Sequence, residues 1–258
     1  MVQYIKNRHL GEFINMKVKL MIALCPLAIL TTGVSFADST NVEPNLNYSI
    51  KVQHISDNEM YVNLDIANLV LPYNSSDVKI ERKDYDNKVE FIVKSIETDE
   101  ILTVFGEEII KTEKNVYDAK SRTMGTRQER NLYRDFYQGP AKFRLNQPVT
   151  LYSSGSFRSI TGAGKATLNK TGGDFSFSGV SLRNTWKGQE SVKIQTDAMF
   201  TITIKTKGGA AGDYSPEKLR KAGYNVSTSD RINYTAVFSP SNRIGFIYDV
   251  YNGYTTVK

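Results

Sequence analysis

The side chains of this chain that could do chemistry are few, and their spacing limits what the chemistry could be. Glu107-Glu108 and Asp99-Glu100 supply neighbouring carboxylates. Two carboxyls about 5–10 Å apart across a cleft would suit glycoside hydrolysis. That half of the chain is rich in acids, so adjacent pairs arise there by chance as surface charge. Asp84-Tyr85-Asp86-Asn87 offers oxygens to a cation. A calcium loop needs more ligands and a closing bidentate glutamate, and turn chemistry accounts for the same residues. His54 would serve as a general base only with a nucleophile and an orienting carboxylate, and no local motif supplies either. Gly162-Ala163-Gly164-Lys165 is too short for a phosphate-binding loop, and neither G-x-S-x-G nor H-E-x-x-H occurs. With one cysteine and two histidines, a disulfide framework and multi-cysteine or histidine-rich metal sites are excluded. No catalytic, metal-binding or cofactor-binding residue is therefore assigned, and no cofactor is expected.

Binding is better supplied with residues. Arg183, Lys187, Arg220 and Lys221 are candidates for contact with a polyanion, and Trp186, Tyr248, Tyr251 and Tyr254 for aromatic contact. Tyrosine and tryptophan combine a large apolar area with a polar tip, which suits sugar or protein faces. The plain alternative is that these aromatics are ordinary strand formers and Trp186 a core residue.

The cations are unevenly spread. Residues 38–121 hold seventeen acidic and nine basic side chains, a net charge of −8. Residues 122–258 hold nine acidic and twenty basic ones, a net charge of +11. Either the halves form different faces of one domain, or a basic half meets a polyanion while the acidic half masks or docks it. Arg122, Arg127, Arg130 and Arg134 mark the boundary as a site for a tryptic-type protease.

The N-terminus reads as an export signal. Lys17 and Lys19 precede the uncharged apolar run Leu20–Leu30, and Ser35-Phe36-Ala37 places small residues where a signal peptidase reads. The expected signal is 1–37, with translation starting at Met16 and cleavage after Ala37. The codons of Gly11-Glu12 can spell a ribosome-binding site, which points to a bacterial gene. The apolar run falls short of the roughly 20 residues of a membrane span. Leu24 before Cys25 argues against a lipid anchor.

Strand signals dominate the mature chain. Val192, Ile194, Thr196, Ala198, Phe200, Ile202 and Ile204 share one parity, with polar or less apolar residues between them. Similar alternation at Tyr48–Val52 and Met60–Ile66 flanks Asp57-Asn58, a hairpin signal. Val89, Phe91 and Val93 follow a turn at Asp86-Asn87. Ile101–Phe105 and Glu108–Lys114 read as two strands separated by Gly106. Ile232–Phe238 and Arg243–Tyr251 flank a turn at Ser239–Asn242. In Lys165–Leu182, Gly172-Gly173 reads as a hairpin turn and Gly179 as a bulge or strand end. Two helices are signalled. Over 127–138, a capping box at Thr126–Glu129 precedes Leu132, Tyr133, Phe136 and Tyr137 at helical spacing, with Gly139-Pro140 as the stop. Over 216–222, Ser215-Pro216 starts a helix and Gly223 ends it.

The expected fold is all-β, a sandwich-like body of antiparallel sheets with two short helices. The expected protein is exported by a bacterium, non-enzymatic, and binds at the cell surface or outside the cell, with an anionic cell-wall polymer or lipid surface as partner. No nucleic acid is expected as partner, nor a transmembrane span in the mature chain. A membrane-active, toxin-like β protein is the alternative reading, and a glycan or wall-polymer hydrolase the third. A cleft gathering Asp and Glu would favour the enzyme, and a long unpaired amphipathic hairpin the pore.

Overall fold

Period-two alternation around Phe200 produces the strand on which one sheet is built. In the computed structural model, which describes residues 52–56, 59–63, 67–119, 122–188, 191–206, 215–228 and 233–250, this strand runs Lys193–Thr206. Ile194, Thr196, Ala198, Phe200, Ile202 and Ile204 are all buried, while Val192 lies outside the strand and is exposed.

The described residues form fifteen strands and one helix, numbered in chain order. The first sheet contains β1 (Val52–Ser56), β2 (Glu59–Asn63), β3 (Asn68–Leu71), β11 (Ser176–Asn184), β12 (Lys193–Thr206), β13 (Asn225–Thr228), β14 (Tyr234–Phe238) and β15 (Ile244–Asp249). The second contains β4 (Val78–Asp84), β5 (Lys88–Ser95), β6 (Ile101–Asp118), β7 (Thr123–Gln138), β8 (Ala141–Ser154), β9 (Phe157–Ala163) and β10 (Thr167–Gly172). All pairings are antiparallel. The helix α1 spans Pro216–Lys221, capped by Ser215, whose hydroxyl accepts from the Lys218 N–H.

Apolar side chains from both sheets form one core. Phe143 of β8 stacks on Phe136 at 5.0 Å and meets Phe200 of β12 edge-on at 5.0 Å. The core joins Phe91 and Phe105, from before Ser121, to Phe143 and Phe200, from after it. Strands from either side of Ser121 also pair directly, β6 with β7 and β3 with β15. The charge halves are thus interleaved in both sheets.

In each sheet, two short strands lie end to end along one long one. Ala198 pairs with both Leu182 of β11 and Ile244 of β15; Ile202 pairs with both Phe177 of β11 and Phe238 of β14. β11 therefore takes one edge of β12, and β14 and β15 follow each other along the other. Ser239–Asn242, expected as a turn between partners, instead joins consecutive strands on the same neighbour. β9 and β10 share one edge of β8 in the same way, with Gln147 Nε2 donating to the Gly164 carbonyl at the junction, 2.8 Å.

Four further expectations are corrected. Residues 127–138 are strand, not helix: β7 pairs with β6 and β8 along its length. Its inward face carries Arg130, Leu132, Arg134 and Phe136, and the other face carries Tyr133 and Tyr137. Apolar residues on both faces imitated helical spacing, and arginines at buried positions hid the alternation. Gly106 does not interrupt β6. It lies under the Tyr133 ring, and a Cβ built there would fall within that ring. Gly172-Gly173 makes no hairpin, since β10 and β11 belong to different sheets. Gly173 has φ +84 and sits against the Pro140 carbonyl, a corner open only to glycine. The last two strands are shorter than expected, since Asn233, Arg243 and Val250 lie outside them; Ile232 and Tyr251 are outside the described residues.

Other readings stand. β1 and β2 pair antiparallel with Ser56 opposite Glu59, although Asp57-Asn58 itself is outside the described residues. Gly179 marks a register shift in β11.

β6 extends past β5 as an arm with β7; β8 flanks β7 as far as Thr126, so the pair runs past both neighbours only beyond that residue. β5 pairs with β6 only as far as Glu108. Beyond it, Tyr117 and Met124 face each other across the arm, 59% and 56% exposed.

Candidate functional site

A polar cleft of about 250 Å³ lies at the β4–β5 turn. Arg82 and Asp84 come from the end of β4, Tyr85, Asp86 and Asn87 from the turn, and Lys88 and Val89 from the start of β5. Glu107 and Ile109 come from β6, and Arg130 from β7. Alternation explains the placement. The β6 face that buries Thr103 and Phe105 continues to Glu107, and the β7 face that buries Leu132 begins at Arg130. The apolar strip of the sheet therefore ends in a pair of charges. The turn is fastened to β6 by the Ile109 N–H, which donates to the Asn87 carbonyl at 2.7 Å.

Glu107 and Arg130 form the floor, 5% and 8% exposed. Arg130 Nη1 donates to Glu107 Oε1, and its Nε donates to Gln128 Oε1 at 3.2 Å. Tyr248, fully buried in β15 of the other sheet, donates to the same Glu107 oxygen at 2.7 Å. Burial first, and the Glu107 charge second, hold the Tyr248 hydroxyl protonated well above the usual tyrosine range. Both hydrogen bonds go to Oε1. Ser159 Oγ is the one sealed side-chain polar atom without a partner among the described residues, so Glu107 Oε2 is unpartnered but not sealed: it opens to the cleft.

At the wall, Arg82 Nε and Nη2 grip Asp84 at 2.7–3.0 Å. Lys88 donates to Glu90 at 3.0 Å, and its ammonium lies 4.3 Å from the Tyr85 ring centre. Glu90 leads to the outer face, where it accepts from the Tyr133 hydroxyl at 2.6 Å. Burial alone would raise the Glu90 carboxyl, but hydrogen bonds from Tyr133 and Lys88 outweigh it and hold it below its ordinary range. The Tyr133 ring carries the Arg144 guanidinium at 3.8 Å, and Arg144 grips Asp135 at 2.6 and 2.7 Å.

The residues proposed from sequence are not gathered. Arg183 and Lys187 are exposed at and beyond the end of β11, where Arg183 pairs opposite Asp197 near the start of β12. Arg220 and Lys221 are exposed on α1, which packs on β13 and β14 by the other end of β12. Lys221 lies 3.4 Å from Glu217. Trp186 is half-buried against the core, its indole N–H donating to the Ile160 carbonyl at 3.3 Å. Tyr248 presents no contact face, being fully buried. Tyr251 and Tyr254 lie outside the described residues. His54 falls in β1, opposite Met60.

Glu107 and the Asp84–Asn87 turn, weighed separately in the sequence, line one cleft. Arg130 was hidden by the helical reading of its segment. Among the described residues no three His, Cys, Asp or Glu side chains converge as metal ligands, and no helix is long and apolar enough to cross a membrane. Comparison with protein-family models, with curated proteins and with solved structures finds no match for this chain.

Proposed function

We propose that this chain is an exported binding protein that works at the cell surface or outside it and holds a polar ligand in the cleft at the β4–β5 turn. The observation that carries the reading is Glu107, almost wholly buried, locked at one oxygen by Arg130 and Tyr248, and open to the cleft at the other. Burying a charge is expensive unless it is paired, and an ion pair held by a tyrosine from the opposite sheet makes a rigid, pre-oriented floor. Asp84 and Glu107 are each set against a guanidinium, an arrangement for fixing carboxylates rather than passing protons, so binding is preferred to hydrolysis. The exposed cations of α1 and of the β11 end would add attraction to an anionic polymer or lipid surface around the site.

The arm gives the membrane-active reading little support. Lys111, Glu113, Arg127 and Glu129 share one of its faces, and Thr112 and Gln128 pair on the other. A spanning strand needs about 9–11 residues with an unbroken lipid face.

Amide chemical shifts of the mature protein test the binding reading, with neutral oligosaccharides, amino acids, dicarboxylates and nucleotides as probes. At least one class should move Asn87, Lys88 and Glu107–Ile109 together. Shifts confined to other surfaces, or release of a shorter product from a bound probe, would count against it. N-terminal sequencing of secreted protein should begin Asp38-Ser39-Thr40; an intact apolar segment on cell-bound protein would defeat the export claim.

A further inference from the structure

Resting on the cleft reading, we infer that the ligand is a neutral saccharide. The cleft is lined by three cations, Arg82, Lys88 and Arg130, and three carboxylates, Asp84, Asp86 and Glu107; Arg82 grips Asp84, Arg130 grips Glu107, and Lys88 reaches Glu90 behind the wall. Such a lining attracts neither an anion nor a cation strongly, because each cation has a carboxylate beside it. Val89, Ile109 and the Tyr85 ring give it apolar surface among the charges, the mixture a sugar ring with its C–H face and hydroxyls requires.

The floor is more selective still. Glu107 Oε2 can only accept a hydrogen bond, and the guanidinium of Arg130 next to it can only donate. A group that meets both must donate and accept from neighbouring positions. A hydroxyl does this with one atom. A carboxylate or phosphate would be repelled by Oε2, and an ammonium by Arg130. Vicinal hydroxyls repeat the same donor–acceptor pattern, and Asp84 and Asn87 line the wall beside them.

Size and shape agree. A volume of about 250 Å³ is below the roughly 300–1,000 Å³ of sites for drug-sized molecules and accommodates a single sugar ring. The Tyr85 ring is partly exposed and carries the Lys88 ammonium 4.3 Å from its centre; its remaining exposed surface is of the kind that packs on the C–H face of a pyranose. The occupant is therefore one ring, terminal or internal, of a neutral glycan.

The experiment titrates the mature protein with neutral trisaccharides built from hexose, pentose or N-acetylhexosamine, and in parallel with oligogalacturonate, oligoglucosamine and glycine. Amide shifts and calorimetry are the readouts. A neutral member should bind at millimolar concentration or tighter and move the amides of Asn87, Lys88 and Glu107–Ile109. Tyr85→Ala, at the exposed rim and outside the core, should weaken that binding tenfold or more, and Glu107→Gln should do so while keeping the side-chain shape. Tyr117→Ser on the arm should leave it unchanged. If charged oligomers or glycine move the cleft amides and neutral ones do not, the saccharide assignment is wrong and the cleft reading survives. If no probe moves those amides, both fail. Neutral binding that Tyr85→Ala leaves intact, with shifts elsewhere, also overturns the assignment.

Discussion

At the scale of single residues, the molecule puts charge where strands usually put apolar side chains. Arg134 is buried between Phe105 and Phe136, its guanidinium carbon 4.8 and 4.4 Å from their ring centres. Its nitrogens donate to Thr103 Oγ1, the Tyr73 hydroxyl and the Gly245 carbonyl of the other sheet. Arg134 thus ties the sheets together without a carboxylate, whereas Arg130 does so through Glu107 and Tyr248. Breaking a buried pair by deleting one partner leaves an uncompensated charge, so Arg130→Ala should destabilise by about 3–5 kcal/mol in denaturant unfolding. Arg130→Met with Glu107→Leu should recover most of that loss. Tyr133 and Tyr248 make stability fall in alkali. Both hydroxyls are held protonated above the ordinary range, by burial first and by Glu90 or Glu107 second. A folded pKa above the unfolded one contributes stability that is complete below the unfolded value and is lost as pH rises beyond it, here about 10. Tyr133→Phe should flatten that loss in a pH series of melting temperatures; an unchanged slope would mean the hydroxyl does not titrate with unfolding.

At the scale of elements, β6 and β7 show how far a sequence can be read and where it misleads. β12 was legible because one face is apolar and the other carries Lys193, Gln195 and Lys205. β7 was not, because Tyr133 and Tyr137 give its outer face an apolar surface and Arg130 and Arg134 give its inner face charges. The Gly106 gap was misread for a related reason. A glycine in a strand can end it or can admit a neighbour, and Tyr133 lies 27 positions later, beyond any local signal. The cleft was half legible: its turn and Glu107 stood out singly, but their meeting depends on the register of β5 on β6. The Tyr133–Gly106 fit has a direct test. Gly106→Ala should destabilise by at least about 1–3 kcal/mol, the usual penalty of forcing atoms into a filled site. Adding Tyr133→Ala should make the double variant more stable than the sum of the single losses implies, a coupling that separated sites lack.

At the scale of the whole molecule, the −8 and +11 halves of the sequence are not halves of the structure. Residues 122–258 alone would lack β6, the partner of β7, and β3, the partner of β15, and would expose a core built with Phe91 and Phe105. That fragment should be unfolded by circular dichroism when made by itself. A cut made after folding is different. Arg122 is exposed at the tip of the arm, with φ +53. Brief trypsin treatment should nick there, and the two pieces should elute together at the native volume, parting only in denaturant. Separate elution of the pieces would mean that the pairing across Ser121 is weak. The junction at Ser239–Asn242 carries a different consequence. β14 and β15 each take their register from β12 independently, so the exposed segment between them sets neither. Length there is uncoupled from alignment. The chain can acquire or shed residues at that point over generations, or accept a grafted epitope in the laboratory, while the strands on both sides keep their partners.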